Sequence, residues 1–295
     1  MRLLLSGLLL VVGCDDIGRI HANMTPAPDM APSGPATPIN DGRHQIGPDG
    51  CSDAAKLVYL IDETGELLNF APDKLTFTDL GSVPCDAPSF NSMAIDRSAV
   101  AWVNSADGHV FRVNTQAQPL DCQSTAFDEL SGFGEFGMGF SSNSVGSTDE
   151  TLFIAGPQSF GSNGMAKLDT TTMKTRLIGT LGSSWPELTG TGSAELWGFF
   201  PDVAESKIAQ IDKKTAALKL PTLLPQLNGT QKAWAFAFWG GSYWIFLQRY
   251  TDPSTNIWQV SFDETGTHVI EAKHNIGRNI VGAGVSTCAP LQQPG

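Results

Sequence analysis

A strand-and-turn pattern recurs five times along the 295 residues, and in each copy the innermost run carries small residues between larger ones. Thirty-one Gly and 18 Pro supply the turns, and a 41% hydrophobic, 16% charged composition supplies a core. These observations predict an all-β chain folded as a β-propeller of five four-stranded blades. Two architectures compete with it: a six-bladed ring with a diverged blade hidden in residues 125–136, and a β-sandwich. The formal charge of −12, from 18 Lys+Arg against 30 Asp+Glu with no basic run, argues against a nucleic-acid partner.

The chain opens Met1-Arg2, continues with an apolar run from Leu3 to Val12, and reaches Gly13-Cys14. A charged start, a short apolar stretch and a small residue form an export signal, and the stretch is well under the roughly 20 residues that span a bilayer. Val11-Val12-Gly13-Cys14 resembles the lipobox of bacterial lipoproteins, which implies cleavage after residue 13 and acylation of Cys14. Two or three acyl chains anchor durably, since each buried methylene contributes about 0.8 kcal/mol. Asp15 resembles the inner-membrane retention signal of enterobacterial lipoproteins. From residue 15 to 50 apolar periodicity is missing, and Pro26, Pro28, Pro32, Pro35 and Pro38 lie among small polar residues. Such a segment buries too little to offset its ordering entropy and is expected to be a disordered tether. The domain expectation is therefore signal peptide 1–13, lipidated tether 14–50 and propeller 51–295.

Within 51–295 each unit begins with a tightly spaced run. Met93-Ala-Ile95, Met138-Gly-Phe140, Thr189-Gly-Thr-Gly192, Trp234-Ala-Phe-Ala-Phe238 and Val281-Gly-Ala-Gly-Val285 are expected to be the inner strands, where Gly marks close backbone approach. The second strands follow as Leu57-Val-Tyr-Leu-Ile61, Val100-Ala-Trp-Val103, Thr151-Leu-Phe-Ile154, Glu195-Leu-Trp-Gly-Phe199 and Ser242-Tyr-Trp-Ile-Phe246. Third strands centre on Phe70, Val113, Leu168, Ile211 and Val260, which are spaced by 43, 55, 43 and 49 residues. Their period-two patterning with Gly or Asp turns makes hairpins. Outer strands such as Leu75-Thr-Phe-Thr78 and Arg176-Leu-Ile178 bring each unit to four strands. The fifth inner strand lies near Gly295 while its partners begin at Leu57, so the first and last strands are expected to complete one blade.

Setting Cys14 aside, Cys51, Cys85, Cys122 and Cys288 remain, which allows three pairings. In the propeller topology Cys51 and Cys288 sit on the face of the inner-to-second-strand loops. Cys85 and Cys122 follow outer strands on the opposite face. The expected bonds are Cys51–Cys288 and Cys85–Cys122, in an oxidising compartment.

The chain carries no nucleophile elbow, zinc motif, phosphate loop or EF-hand, and calls for no metal or cofactor. Its five histidines are peripheral: His21 and His44 lie in or near the tether, His109 in a hairpin, and His268 and His274 near the last outer strand. Asp62-Glu-Thr-Gly65 and Asp263-Glu-Thr-Gly266 have the chemistry of hairpin turns. Trp102, Trp197 and Trp244, with Tyr59 and Phe153, occupy one equivalent second-strand position and are assigned to packing between blades. Trp185, Trp234 and Trp239 fall outside that pattern and are candidate ligand contacts, with Asp96 beside an inner strand. Residues 94–97 through 110–113 are similar to propeller repeats of the NHL kind, and the whole resembles propeller lipoproteins. The resemblance is to architecture, which alone does not give function; the expectation is a lipid-anchored envelope protein whose propeller acts as a binding or scaffolding module for a protein or glycan. The competing expectation is a carbohydrate-active hydrolase of the kind found among five-bladed propellers, with Asp96, Glu195 or Asp202 as axial carboxylates. Two acids in one axial pocket would favour the hydrolase; an aromatic patch without such a pair would favour binding.

Overall fold

The computed structural model describes residues 49–127, 132–158, 161–183 and 185–294. The signal, the acylation site and nearly all of the tether expected from the sequence lie outside the described residues. Five separate four-stranded antiparallel sheets make up the body. The first takes β1 (Val58–Asp62), β2 (Glu66–Ala71) and β3 (Thr76–Ser82), with β20 (Ile280–Gly284) arriving from far along the chain to pair with β1. The second comprises β4 (Phe90–Ile95), β5 (Val100–Ser105), β6 (Val110–Asn114) and β7 (Asp121–Ser124). The third holds β8 (Gly137–Ser142), β9 (Glu150–Pro157), β10 (Asn163–Leu168) and β11 (Thr175–Gly182). β12 (Glu187–Gly190), β13 (Leu196–Phe200), β14 (Lys207–Ile211) and β15 (Leu218–Leu223) form the fourth. The fifth runs through β16 (Gln231–Trp239), β17 (Ser242–Arg249), β18 (Asn256–Asp263) and β19 (Gly266–Lys273).

The inner strands touch one another in the cyclic order β20, β4, β8, β12, β16, which closes a ring. β8 and β12 are buried throughout and β4, β16 and β20 are buried beyond their leading residues, whereas the outer strands β3, β11, β15 and β19 are largely exposed. The expected five-bladed propeller, with its first and last strands in one sheet, is the observed fold. Residues 125–127 and 132–136 supply a single bridge, Phe133 to Gln158, and three core phenylalanines, Phe127, Phe133 and Phe136. They contribute no regular strand.

Register confirms the repeat alignment residue by residue. Tyr59 pairs with Asn69, Trp102 with Arg112, Phe153 with Lys167, Trp197 with Gln210 and Trp244 with Gln259. Each partner immediately precedes the residue used to measure the repeat: Phe70, Val113, Leu168, Ile211 or Val260. All five aromatic side chains are buried. Phe70 meets Trp244 and Phe246 edge-on, with centroids 5.6 and 5.5 Å away, so the first blade is sealed against the fifth.

Glycine permits the inner strands to crowd. A Cβ built on Gly190 of β12 would run into the Phe140 carbonyl oxygen of β8, and one on Gly137 of β8 into the Pro186 carbonyl oxygen. On Gly284 of β20 it would lie 3.1 Å from Ala94 of β4. These contacts are to backbone, which cannot swing aside as a side chain can.

Both expected disulfides are present, with Cα separations of 5.8 Å for Cys51–Cys288 and 5.3 Å for Cys85–Cys122. One detail departs from expectation. Cys122 lies within outer strand β7, opposite Val113, instead of after it. The second bond therefore fastens the linker after β3 to the outer edge of the second blade. Two such bonds fit an extracytoplasmic compartment.

Beside Cys51–Cys288 the guanidinium of Arg97 donates to Thr287 Oγ1 (3.0 Å), to the Asp49 carbonyl and to Cys51 Sγ. Glu150 accepts from Arg97 N (3.0 Å) and Thr287 Oγ1 (2.8 Å). Burial nevertheless pushes its carboxyl up from 4.5 to about 7. The folded protein therefore holds this proton to higher pH than the unfolded chain does. Stability from the group is full below pH 4.5 and is lost as pH rises through 7. Glu150→Gln is expected to raise the melting temperature at pH 8 and leave it unchanged at pH 4.5, a gain of roughly 2 kcal/mol. An equal shift at both pH values in thermal melts would show that the carboxyl proton is not the cause.

Candidate ligand site at the axial mouth

The leading ends of the inner strands converge on a cavity of about 270 Å³. Phe90 and Asn91 open β4, Glu187 opens β12, Lys232 to Trp234 lie early in β16, and Val281 belongs to β20. Glu135 and Trp185 join them from the segments just before β8 and β12. The site is thus assembled from blades remote in sequence, as expected of a ring whose inner strands all run the same way.

Its deepest polar group is Glu187, only 3% exposed. Ser92 Oγ of β4 donates to Glu187 Oε2 at 2.8 Å and accepts from Met138 N of β8 at 3.2 Å, so one carboxyl joins three inner strands. Burial holds the Glu187 carboxyl well above the usual carboxylate range. A neutral carboxyl both donates and accepts hydrogen bonds, which an ionised one cannot. Burial raises Glu135 as well. Lys232 Nζ lies 4.0 Å from Glu63 and brings a cation to the rim.

Across the cavity the rings of Trp185 and Trp234 meet edge to face, with centroids 5.7 Å apart at 85°. Both indole N–H groups are shielded and have no hydrogen-bond partner among the described residues. A tryptophan N–H left so is unusual. Together with Glu187 and the Phe90 ring, the pair gives a small recess in which aromatic rings and convergent polar groups are mixed, a form that suits a ligand pocket.

Of the sequence candidates, Trp185 and Trp234 come together here. Trp239 does not. Its side chain is 7% exposed, its Nε1 donates to the Lys56 carbonyl at 2.9 Å, and it packs between the fifth and first blades. Asp96 lies at the trailing end of β4, away from the cavity. Its Oδ1 accepts from Ser98 N and Val100 N, and its Oδ2 from Trp102 Nε1 at 3.1 Å. Asp96 therefore closes a turn and fixes an interblade tryptophan. Glu195 does the same for Trp197 Nε1 at 3.1 Å, and Asp202 closes the turn over Ala204 and Glu205. None of the three acids singled out as axial carboxylates lines the axial cavity; the acids that do are Glu135 and Glu187. A signal for Glu187 existed in the sequence: a carboxylate two residues before the Gly-spaced inner run Thr189-Gly-Thr-Gly192, and the one acid within the five inner strands.

The repeated Asp-Glu-Thr-Gly segments are turns: Asp62 Oδ1 accepts from Thr64 N and Oγ1, and Asp263 Oδ1 from Thr265 N and Oγ1. His109, His268 and His274 each sit beside an exposed carboxylate. Among the described residues no group of three His, Cys, Asp or Glu could hold a metal ion.

No family model matches the chain. No curated protein matches it either. Among solved structures it is similar to an auxiliary nutrient binding protein from Bacteroides thetaiotaomicron, at 11% identity and a TM-score of 0.42, covering 73% of this chain and 53% of that one. TolB from Acinetobacter baumannii is alike at 11% identity and TM-score 0.42, with 74% and 52% covered. A chain of the mitotic checkpoint complex gives 13% identity and TM-score 0.42 over 92% and 93%. The chain spans about half the length of the first two. The β-propeller architecture rests on the sheet topology itself, and the site's function on its geometry.

Proposed function

We propose that the chain is a lipid-anchored envelope protein whose propeller binds a sugar ring of a glycan at the axial mouth. The observation that carries this reading is the edge-to-face Trp185–Trp234 pair, which lines one cavity with the buried Glu187 carboxyl. Aromatic faces stack on the apolar side of a sugar, while a carboxyl hydrogen-bonds its hydroxyls. Anchoring rests on the lipobox-like Val11-Val12-Gly13-Cys14, and the tether on the Pro-rich residues that follow. Cys14→Ser is expected to move the chain from the membrane pellet to the soluble fraction.

The ligand is to be sought by screening the detergent-solubilised full chain on a glycan array, then titrating the best glycan. Trp234→Ala is expected to weaken binding about tenfold, the equivalent of 1.4 kcal/mol, while exposed Tyr250→Ala changes nothing. Equal affinity in all three proteins would refute the axial site. Because Glu135 and Glu187 share the cavity, reducing ends are measured on the same glycans. Their release, abolished by Glu187→Gln, would replace the binding reading with hydrolysis.

A further inference from the structure

Five cations of an acidic chain gather in one place. Lys167 of β10 lies opposite Arg176 of β11, Lys174 stands in the turn between these strands, and Lys213 and Lys214 occupy the turn after β14 of the next blade. Two clefts of about 400 and 350 Å³ share Lys167 and Arg176; the first reaches Lys174 and the second Lys213 and Lys214. The five are more than a quarter of the 18 Lys and Arg in a chain of net charge −12.

Two carboxylates, Glu150 and Asp169, also line the first cleft, but the nearby acids are bound to groups other than these five cations. Asp212 is paired with Lys219 at 2.7 Å, Asp169 Oδ1 accepts from Thr171 N and Thr172 N, and Glu150 is bound to Arg97 N and Thr287. None of the five cations has a carboxylate within 4 Å among the described residues. Lys213 is also held in place: its Nζ donates to the Ser142 carbonyl at 2.6 Å and to Ser141 Oγ at 3.2 Å, which leaves one of three N–H donors for a ligand. Burial, and to a smaller degree like charge from Lys167, weaken its hold on its proton.

We propose that this double cleft holds a stretch of linear anionic glycan carrying carboxylate or sulfate groups. Two contiguous clefts with shared cations fit an elongated polyanion. Leu177, 55% exposed in the second cleft, offers apolar contact to a sugar ring. A flat bilayer surface would not enter concave clefts. Aromatic side chains are missing from both linings, so nucleic-acid bases would have nothing to stack on. The proposal is independent of the axial cavity, which shares no residue with either cleft.

The test titrates the full chain with a fluorescent heparin-derived hexasaccharide at low and high salt. Affinity is expected to fall about tenfold or more between 50 and 300 mM salt, since exposed charges are screened within roughly 8 Å at physiological ionic strength. Lys167→Ala with Arg176→Ala is expected to weaken binding about tenfold, with an unchanged melting temperature because both side chains are exposed. Lys219→Ala, whose cation is already paired, is expected to change affinity less than about twofold. No binding at 50 mM salt, or equal binding by the double variant, would overturn the proposal. So would tighter binding of a single-stranded oligonucleotide or of phosphatidylglycerol vesicles.

Discussion

Gly190→Ala is expected to abolish accumulation of folded protein. The added methyl group would overlap the Phe140 carbonyl oxygen on the neighbouring inner strand, and Phe140 C and Ser141 Cα follow at 2.7 Å. β12 cannot retreat, because it is paired with β13 on one edge and packed between β8 and β16 around the axis. Overpacking a core by methylenes costs about 1–3 kcal/mol when side chains can shift. Here the obstacle is backbone, so the cost is set at more than roughly 3 kcal/mol, a large part of the 5–15 kcal/mol of a typical domain. Gly134→Ala is the matched control, since its Cβ would meet nothing within 4 Å. The yield of folded protein for the two variants, and denaturant melts of whatever folds, decide the matter. Equal midpoints would mean that the inner strands are looser than the structure shows.

Loss of the Cys51–Cys288 bond is expected to be the more damaging of the two disulfide deletions. This bond spans 237 residues of sequence and Cys85–Cys122 only 37. By the chain-entropy relation the first restricts the unfolded chain by roughly 5 kcal/mol and the second by about 4. Position widens the gap. Cys288 follows β20, the strand that closes the ring, and Cys51 precedes β1, its partner. Releasing it frees the one blade built from two distant parts of the chain. Cys51→Ser with Cys288→Ser is expected to lower the melting temperature by more than about 10 °C, at 2–4 °C per kcal/mol for a chain of this size. The Cys85/Cys122 pair of changes is expected to cost less. The reverse order in calorimetric scans would show that the closing blade does not limit stability.

How far the sequence carried the argument varies with the range of the interactions. Strand identity was legible because each strand's inward face is written in consecutive residues. The aromatic position shared by Tyr59, Trp102, Phe153, Trp197 and Trp244 even fixed the register. The disulfide pairing was legible because it follows from topology alone. Trp239 could not be separated from Trp234 by sequence, since both lie on β16. Only three-dimensional placement shows one in the fifth-to-first blade contact and the other at the axial mouth. The basic clefts escaped notice for the same reason. Lys167 and Lys213 are 46 residues apart in sequence and become neighbours only because consecutive blades pack side by side. Glu135 and Glu187 likewise converge across the axis.

The pairing of β1 with β20 has a consequence for biogenesis. Made from the N-terminus, the first three strands must wait, with the β1 edge unsatisfied, while everything from Ser82 to Asn279 is synthesised. An open edge of that kind is a template for pairing with the wrong chain, and contacts so distant in sequence form slowly. The hazard is greatest in a crowd of half-made copies, so yield should depend on how quickly each nascent chain is completed and kept apart from its siblings.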